Sequence, residues 1–324
     1  MKNICITGVD GFIGAPLSKA LVASGKKIRG FSRNSYSRIN ANEIENIVIG
    51  DITKKINWEH YLKGYECIIH CAGKAHSTNK NDKLQDYLSV NTESTRLLAE
   101  QAVKAGIQRF IFLSSIKVNG ESTFKINQDN KNNYAFSYDD TPNPKDFYGV
   151  SKFEAEKALW KISNESGLEV VILRLPLVYG YGVKGNLSRL MKLINFGAPL
   201  PFSLVKNQRS LIGIDNLISI LLTCIDHQEA PGNTFLVSDN KDLSTPDLIK
   251  NIALAMNRTA RLFPVPIPLL KFISFLIRRR GDMERLLGNL QLDTSHTRKI
   301  LSWHPPISVD EGIKKMVNGN DSFI

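Results

Sequence analysis

Three side chains in this sequence have the types and spacing needed to move a proton to or from a substrate oxygen. Tyr148 and Lys152 are four residues apart in a helix-like segment, which places them on the same face of a helix. A phenol with a pKa of about 10 is a poor base at neutral pH, but a neighbouring ammonium group favours its charged form. Ser115 ends an apolar, strand-like run, where its hydroxyl can hydrogen-bond the oxygen that Tyr148 protonates. These residues predict acid–base catalysis at a carbon–oxygen bond.

A glycine-rich turn near the N-terminus indicates where a phosphorylated cofactor binds. Gly8, Gly11 and Gly14 follow the first apolar run and precede a helix-like segment. Glycine at such a turn permits close approach to a pyrophosphate, which the N-terminus of the next helix attracts. The spacing is GxxGxxG rather than GxGxxG, so the prediction depends on the position of the turn between strand and helix. We expect Phe12 and Ile13, within the turn, to contact the same cofactor.

The end of the second strand bears on the choice of cofactor. Dinucleotide-binding sheets often hold the adenosine ribose with a carboxylate at this point. The residues that follow the strand are Ser32, Arg33 and Asn34, and none of them is acidic. Arg33 can pair with a 2′-phosphate, so we expect NADP in preference to NAD. The alternative is NAD, with Arg33 as a solvated loop residue.

Alternating strand-like and helix-like segments provide the framework that must position these residues. Continuous apolar strands separated by helices are typical of a parallel sheet covered on both faces, which is the doubly wound α/β architecture. We predict strands at Asn3–Thr7, Lys27–Phe31, Ile47–Ile49, Cys67–His70, Arg109–Leu113 and Val170–Leu175, and helices near 13–24, 55–63, 85–105 and 150–166. Residues 121–146 are polar and read as a long loop. After about residue 180 the alternation weakens, which indicates a smaller domain.

Composition and charge limit the classes of protein to consider. Lys and Arg number 42 against 31 Asp and Glu, for a formal net charge of +11, which favours anionic ligands. The basic residues occur along the whole chain, and no aromatic array interleaves with them, so we expect solvated helix faces and no nucleic-acid binding. The four cysteines lie mostly in apolar runs, so we expect buried free thiols and no metal site.

Two segments bear on localisation. The first residues, MKNICITG, lack the basic and apolar regions of a signal peptide, so we expect a cytoplasmic protein. Residues 262–277 are apolar but contain Lys271 and three prolines, and they fall short of the ~20 residues that span a bilayer. We expect a loop leading into an amphipathic helix there, with no transmembrane segment, and peripheral membrane contact is the less favoured alternative.

Taken together, these residues resemble the extended short-chain dehydrogenase/reductases, in particular the UDP-glucose 4-epimerase-like branch that modifies sugar nucleotides. The resemblance covers nearly the whole chain, and its segments occur in the family's order and spacing. They are TGVDGFIG at 7–14, GDIT at 50–53, CAG at 71–73, VN at 90–91, FIFLSSIKVNG at 110–120, FYGVSK at 147–152, RLPLVYG at 174–180, KGN at 184–186, RSLIGIDN at 209–216 and LDTSHTRKILSWHPP at 292–306.

The resemblance implies a role for each matching residue. It assigns Ser115, Tyr148 and Lys152 to catalysis, with Lys152 also on the nicotinamide ribose and Tyr148 beside the cofactor. Other cofactor contacts implied by the match are Gly8, Gly11, Gly14, Asp51, Ile52, Ala72, Gly73 and Asn91. The resemblance also implies that Asn186 and Arg209 bind the UDP diphosphate, and the alternative for Arg209 is a surface ion pair. Arg279 and Asp282 resemble a later nucleotide-binding segment, although the spacing onward to Asp293 is longer than expected.

The family also implies a domain division and a fold. We expect residues 1–180 to form a Rossmann-like NAD(P)-binding domain that carries the catalytic group. Residues 181–324 are expected to form mainly a smaller α/β subdomain that binds the sugar nucleotide and interleaves partly with the first. Homodimerisation is usual for relatives, so a homodimer is expected.

One departure from the family narrows the reaction. Sugar-nucleotide 4,6-dehydratases usually carry an Asp–Glu pair after the catalytic Ser or Thr, and this chain has Ile116 and Lys117 there. A dehydratase is therefore not expected. A reductase consumes a reductant and commonly uses NADPH, so the expected preference for NADP favours a 4-keto-sugar reductase that acts at C4 of a UDP-sugar, with a UDP-N-acetylhexosamine derivative favoured, in the synthesis of surface polysaccharide precursors. The alternative is a UDP-glucose or UDP-N-acetylglucosamine 4-epimerase. A non-catalytic cofactor-binding protein is more remote, because such relatives typically lose the Tyr or the Lys.

Overall fold

A seven-stranded parallel sheet forms the centre of the protein. The computed structural model describes residues 2–34, 44–75, 82–123, 134–276 and 280–319. The strand order is β3-β2-β1-β4-β5-β6-β9, and every neighbouring pair is parallel. The strands are β1 (Ile4–Thr7), β2 (Ile28–Ser32), β3 (Glu45–Val48), β4 (Cys67–His70), β5 (Arg109–Ser115), β6 (Glu169–Leu175) and β9 (Asn233–Leu236). The predicted doubly wound α/β fold is confirmed.

Helices cover both faces of this sheet and form most of the second half of the described chain. Those before residue 180 are α1 (Gly14–Ala23), α2 (Trp58–Leu62), α3 (Leu84–Tyr87), α4 (Ser94–Lys104) and α5 (Phe147–Ser166). Those after it are α6 (Asn186–Asn195), α7 (Ile214–Asp226), α8 (Thr245–Ala255), α9 (Ile267–Leu276), α10 (Arg280–Leu287), α11 (Ser295–Leu301) and α12 (Val309–Asn318). A separate two-stranded parallel sheet pairs β7 (Leu177–Tyr179) with β8 (Leu211–Gly213).

Two apolar layers bury the faces of the main sheet. Residues of β4, β5 and β6 alternate between the layers: Ile111 and Val171 lie in one, and Phe110 and Val170 in the other. All seven residues of β5 are buried, which explains why these strands read as continuous apolar runs. The first layer also contains Leu217 and other residues from the second half of the chain.

The second half of the chain returns to the main sheet. After the excursion through α6 and β8, α7 packs in the first layer and β9 pairs with β6, for example Val171 with Asn233. A third apolar cluster joins α6, α8 and α12 into a smaller unit. The regular alternation of strand and helix therefore does not simply fade after residue 180, as the sequence indicated. It continues through α7 and β9, because those elements complete the first layer.

Two predicted helices differ in detail from the structure. The helix expected near 85–105 is interrupted by a π-helical segment, Leu88–Glu93, between α3 and α4. The helix after residue 262 exists as α9, but its apolar side chains are largely exposed rather than packed on the core. Searched over the described residues, the protein has no helix long and apolar enough to traverse a bilayer.

Candidate active site

The glycine turn between β1 and α1 is built so tightly that side chains would not fit. Gly8 has a φ of +67°, and a Cβ at that position would lie 3.0 Å from the backbone nitrogen of Ala72. A Cβ on Gly14 would lie 2.1 Å from the carbonyl oxygen of Gly8, closer than any contact allows. The turn is closed by a hydrogen bond from Gly11 N–H to the Gly8 carbonyl, 2.9 Å. Glycine is therefore required by geometry at both ends of the turn.

The start of α1 offers backbone donors to an anion. Ile13 occupies the N-cap position, and no side chain caps the first turn. The N–H groups of a first helical turn have no partner within the helix, and together with the helix dipole they attract phosphate. The turn and the helix start thus fit the pyrophosphate of a dinucleotide, as predicted for this segment.

A buried chain of hydrogen bonds supports the turn from below. The Ala72 N–H donates to Thr7 Oγ1 (3.2 Å), which lies 2.6 Å from His70 Nδ1, and His70 Nε2 lies 3.0 Å from Thr95 Oγ1. Thr95 uses its own proton to donate to the Asn91 carbonyl, 2.7 Å. His70 Nε2 is therefore the donor to Thr95, and Nδ1 accepts from the Thr7 hydroxyl when the imidazole is neutral. Burial lowers the pKa of His70 to about 3, in agreement with that state.

Asn91 connects this region to the catalytic helix. It lies in the π-helical segment, and its amide nitrogen donates to Ser151 Oγ (2.9 Å) and to the Lys74 carbonyl (3.0 Å). Its amide oxygen accepts from the Lys74 N–H at 2.7 Å. A Cβ on Gly73 would meet Asn91 Oδ1 at 3.1 Å and Lys152 Nζ at 3.4 Å. The predicted cofactor residues Gly73 and Asn91 therefore lie directly beside the predicted catalytic lysine.

Tyr148, Ser115 and Lys152 come together at the carboxyl end of the sheet. Asp146 caps α5 by accepting from the Gly149 N–H at 2.7 Å, so the helix begins just before Tyr148. Ser115 is the last residue of β5, and its hydroxyl is hydrogen-bonded to the phenol of Tyr148. Lys152 is buried one turn further along α5. The arrangement has the geometry that the sequence predicted.

The protonation states of these groups differ in one respect from expectation. Burial raises the pKa of Tyr148 to about 12, and the hydrogen bond from Ser115 only partly opposes it. Lys152 directs Nζ to the Leu113 carbonyl at 2.8 Å, where burial lowers its pKa to about 8. The ammonium group of Lys152 is not among the causes that shift the phenol pKa, so the lowering expected from it is not found. At neutral pH the phenol is protonated and suited to donate a proton.

A buried ion pair holds the catalytic strand and helix together. Arg174 of β6 donates through Nη2 to Glu156 Oε2 (2.7 Å) and through Nε to Oε1 (3.1 Å). Ser114, next to Ser115, donates to the same carboxylate at 2.5 Å. The remaining Arg174 nitrogen, Nη1, donates to Asn119 Oδ1 at 2.9 Å. Glu156 follows Lys152 by four residues, so the network fixes the face of α5 that carries Tyr148 and Lys152.

The residues predicted around the adenosine lie at the edge formed by β2. Arg33 is exposed immediately after this strand, and its charge is one of those that lower the pKa of Asp51. The larger causes of that lowering are two hydrogen bonds from Thr53, at 3.0 Å from its N–H and 2.8 Å from its hydroxyl. Ile52 is half-buried against the second apolar layer. Arg33 and Asp51 therefore lie near one another at the edge formed by β2.

The predicted diphosphate residues lie on the smaller unit. Arg209 donates through Nη1 to the Gly288 carbonyl at 3.1 Å. Burial, followed by the like charge of Arg285, lowers the pKa of Arg209 to about 10. Two guanidinium groups placed close together in a partly desolvated position favour an anion between them. Asn186 is exposed at the first position of α6.

Several residues of this region were not identified from the sequence. Thr7, His70 and Thr95 were treated as parts of strands and helices, and Arg285 was not considered. Thr7 and His70 are polar residues inside otherwise apolar strands, a signal that is visible in the sequence but does not name the partner. Thr95 and Arg285 lie among other polar residues of their helices and give no such signal. Arg279 and the side chain of Asp282, which the resemblance brought into the nucleotide site, lie outside the described residues.

Comparisons with known proteins identify the family. The model of the NAD dependent epimerase/dehydratase family matches residues 4–238. A protein of Vibrio cholerae named UDP-glucose 4-epimerase is 40% identical over 97% of this chain and 94% of its own length. An Escherichia coli O157:H7 protein named N-acetyl-alpha-D-glucosaminyl-diphospho-ditrans,octacis-undecaprenol 4-epimerase is 24% identical over 82% of this chain and 76% of its own.

Solved structures share the fold at lower identity. UDP-glucose 4-epimerase from Thermotoga maritima, solved with UDP-glucose, superimposes with a TM-score of 0.78 at 20% identity and covers 97% of both chains. UDP-glucuronic acid 4-epimerase from Bacillus cereus, in complex with NAD, gives a TM-score of 0.77 at 20% identity, over 98% of this chain and 97% of its own. The glycine turn, the Tyr–Lys helix and these matches lead to one conclusion: the chain belongs to the NAD dependent epimerase/dehydratase family of extended short-chain dehydrogenase/reductases, and it is an NAD(P)-dependent enzyme.

Proposed function

We propose that the protein performs redox chemistry at C4 of a UDP-sugar, with Tyr148, Ser115 and Lys152 as the catalytic group. The observation that carries the proposal is the hydrogen-bonded Ser115–Tyr148 pair at the strand ends, with Lys152 one turn away beside Gly73. Ligands of open α/β sheets bind at this carboxyl edge. A sugar oxygen placed between the two hydroxyls would meet a proton donor and an orienting hydrogen bond at the same time.

Each catalytic side chain has a distinct proposed task. Tyr148 transfers a proton to or from O4 of the sugar. Ser115 holds that oxygen by a hydrogen bond. Lys152, charged below a pKa of about 8, binds the ribose next to the reacting ring and keeps a positive charge near the phenol. These tasks need only proton movement at oxygen and leave the carbon framework of the sugar intact.

The cofactor is held by the glycine turn in this proposal. When bound, NAD(P) supplies or accepts the hydride at C4. Gly8, Gly11 and Gly14, with the start of α1, would hold its pyrophosphate, and Phe12 and Ile13 would line the turn. Asp51, Ile52 and Ala72 would border the adenine side and the turn, while Asn91 would fix the segment beside the nicotinamide ribose.

The diphosphate of the substrate would bind on the smaller unit. Arg209 and Arg285 present two positive groups there, and Asn186 is proposed as a further contact from α6. An N-acetylated sugar is supported by the name of the Escherichia coli relative, which specifies an N-acetylglucosaminyl group joined through a diphosphate to undecaprenol. We therefore propose a UDP-N-acetylhexosamine derivative as substrate, in the supply of surface polysaccharide precursors.

We propose 4-keto reduction as the net reaction. The phenol with a pKa of about 12 is a proton donor at neutral pH, which is the role a keto-sugar reduction requires. Arg33 follows β2 where a ribose-binding carboxylate would otherwise stand, and its guanidinium suits the 2′-phosphate of NADPH. A reductase consumes its reductant in each turnover and commonly draws on NADPH.

A second candidate reaction is 4-epimerisation. It is favoured by the Vibrio cholerae relative, which carries the name UDP-glucose 4-epimerase at 40% identity. It is favoured also by the NAD in the complexes of similar fold. Epimerisation would use the same three residues reversibly, with Tyr148 first removing and then returning the O4 proton. It would need NAD and no net reductant.

One assay separates the two reactions. Purified protein is given either UDP-N-acetylglucosamine alone or a UDP-4-keto-N-acetylhexosamine with NADPH or NADH, and products are resolved by chromatography. Reduction predicts consumption of NADPH that depends on the keto-sugar, and no change in UDP-N-acetylglucosamine. A 4-epimer formed without added reductant would replace reduction by epimerisation, and inactivity in both arms would reject chemistry at C4.

Tyr148→Phe tests the catalytic assignment itself. Loss of a positioned general acid typically costs about 10²–10⁴-fold in rate, and the ring that packs in the cleft is retained. Unchanged turnover would reject the assignment, whereas cofactor binding without any turnover by the unaltered protein would favour the cofactor-binding alternative. The homodimer expected from the resemblance and the cytoplasmic location expected from the N-terminal residues stay predictions, and the mass of the protein in solution tests the first.

A further inference from the structure

Helix α9 exposes its apolar residues and buries a polar one. The side chains of Leu269, Phe272, Ile273, Phe275 and Leu276 are between 42% and 64% exposed, and we call them the α9 face. The buried positions of the helix are Leu270 and Ser274, one turn apart. Ser274 satisfies its hydroxyl by donating to the Lys271 carbonyl at 2.7 Å. A surface helix normally turns its apolar residues to the core, so this orientation requires an explanation.

The spacing of the α9 face makes it one continuous surface. Positions 269, 272, 273 and 276 follow the i, i+3, i+4, i+7 pattern of a single helix face. Lys271 lies at the border of that face and is exposed. Three large aliphatic residues and two phenylalanines on one side of a ten-residue helix form a surface suited to an apolar environment.

The part of the chain around α9 is also unusually basic. Residues 170–214 and 248–281 together hold thirteen Lys and Arg and not one Asp or Glu. Arg174 is buried in its ion pair with Glu156. Arg209 is largely buried beside Arg285. Eight of the others are exposed: Lys184, Arg189, Lys192, Lys206, Lys250, Arg258, Arg261 and Lys271. Basic residues occur along the whole chain, but in these two segments no acidic residue offsets their charge. An acid-free region next to an apolar face matches an anionic surface.

Backbone contacts bring the two acid-free segments together. The N–H of Leu200 donates to the Arg261 carbonyl at 2.8 Å, and the N–H of Phe263 donates to the Leu200 carbonyl at 3.1 Å. Arg261 also reaches back to the end of α6, where a Cβ on Gly197 would lie 3.9 Å from its guanidinium. Phe196, at that end of α6, is 83% exposed, and Phe263 is 41% exposed. Exposed aromatic rings and basic side chains thus extend from α9 onto the neighbouring segment.

We propose that the α9 face docks the enzyme onto an anionic lipid bilayer. Apolar side chains of an interfacial helix enter the boundary between headgroups and acyl chains, while Lys and Arg contact the headgroups. A second copy of the chain fits the face less well, because two such surfaces would bring their positive charges together. The bilayer supplies both the apolar layer and the opposite charge. The proposal concerns where the enzyme works and is independent of the reaction it performs.

Sedimentation with vesicles tests this proposal. The full-length protein is mixed with phosphatidylcholine vesicles that contain either none or about 30% phosphatidylglycerol, at about 0.1 M and 0.5 M salt. We expect binding to the anionic vesicles at the lower salt, with weaker binding to the neutral vesicles and at the higher salt. Phe272→Ser combined with Phe275→Ser should lower the partition constant of the protein between water and the anionic vesicles by at least about tenfold.

Val48→Ser is the matched control, since Val48 is 50% exposed on the sheet edge, away from the two acid-free segments. It should bind vesicles as the unaltered protein does. Both variants should keep the melting temperature, because each alters exposed side chains only. Absence of binding to anionic vesicles, or equal binding by the double variant, would overturn the proposal. The proposal would also be overturned if no form of the protein bound vesicles and the double variant instead lost self-association or the binding of a protein partner.

Discussion

The environment of His70 keeps its imidazole neutral in the folded protein. It accepts from Thr7 and donates to Thr95, and its ring stacks on Phe112 with centroids 5.9 Å apart. A second ring proton would face the hydroxyl of Thr7 inside an apolar layer, beside the charge of Lys152. In the unfolded chain, water solvates this imidazole in both protonation states. Protonation is therefore coupled to unfolding.

Stability should fall with acid through this residue. Below a pH near 6.5 the unfolded chain binds a proton at His70, and the native chain does so only near the lowered pKa of about 3. Because the unfolded state then holds more protons, the free energy of unfolding drops by about 1.4 kcal/mol per pH unit within that window. Urea unfolding of the native protein and of His70→Gln, from pH 4 to 7, measures the difference. Parallel pH dependences would show that His70 does not contribute.

Arg33 should set the preference between the two dinucleotides. Loss of a charge-assisted contact to a phosphate removes roughly 1.5–3 kcal/mol of binding, so Arg33→Ser should raise the KM for NADPH at least about tenfold. The KM for NADH should stay nearly constant, since NADH has no 2′-phosphate. Lys161→Ser, which alters a side chain 75% exposed near the far end of α5, is the control. Equal KM changes for both cofactors would contradict the role given to Arg33.

At this scale the sequence was informative where chemistry depends on local spacing. Tyr148 and Lys152 share a helix face by their separation alone, and Ser115 ends its strand because the apolar run stops there. The proton-binding state of Tyr148 could not be predicted in the same way. Its pKa depends on how much protein surrounds the ring, and that is set by residues distant in the chain. Arg285 was not predicted for the same reason: it lies near Arg209 in the fold but far from it in the sequence.

At the scale of elements, β5, β6 and α5 are joined by charge as well as by packing. The Glu156 and Arg174 side chains are 1% and 5% exposed, so each charge depends on the other for its solvation. Ser114 and Asn119 satisfy the remaining groups. Removal of one partner from such a pair leaves an uncompensated buried charge, which costs far more than the pair itself contributes.

Arg174→Ala should therefore destabilise the protein by about 3–5 kcal/mol. Arg96→Ala provides the comparison, because Arg96 pairs with Glu93 and Glu100 on the surface of α4, where about 0–1 kcal/mol is expected. Denaturant unfolding measures both. A loss at Arg174 no larger than that at Arg96 would show that the buried network is not holding the helix against the sheet.

The glycine turn makes a second prediction at this scale. Gly14→Ala places a Cβ 2.1 Å from the Gly8 carbonyl, so the turn must open, at a cost of about 1–3 kcal/mol. Cofactor affinity should fall with it, because the start of α1 moves. Gly281→Ala is the control, since nothing lies within 4 Å of the added atom. Thermal unfolding and cofactor titration report the two effects, and an unchanged cofactor affinity in Gly14→Ala would argue against the turn as its site.

The π-helical segment marks the limit of prediction for elements. Residues 85–105 have the apolar spacing of one helix, and the strands before it were placed to within two residues. The extra residue in the turn around Asn91 serves contacts with Lys74 and Ser151, which lie on other elements. A local pattern does not contain those partners. π-helical turns of this kind occur frequently at functional sites.

At the scale of the whole molecule, the two halves of the chain share one core. Ile111 and Val171 pack in the same layer as Leu217, Phe235 and Trp303. The division of the chain at residue 180 into a cofactor-binding part and a sugar-nucleotide-binding part remains a prediction. For folding, the layer that covers β5 and β6 includes side chains from both sides of that division.

A fragment of residues 1–180 should consequently fail to fold. It lacks α7 and β9, and the apolar side chains of the first layer would meet water. We expect insoluble protein on expression, and a single cooperative thermal transition for the full chain by calorimetry. A soluble fragment with a melting transition of its own would show that the first half is an autonomous domain.

The place of β9 in the sheet has a consequence during synthesis. Val171 of β6 leaves the ribosome long before Asn233, its neighbour in the sheet. At about 5–20 residues per second, the intervening chain takes roughly 3–12 seconds to make, and throughout that interval the free edge of β6 can pair with other nascent strands. Translation slowed before Asn233–Leu236 has left the ribosome should therefore increase aggregation in the cell, while the same delay after residue 310 should not.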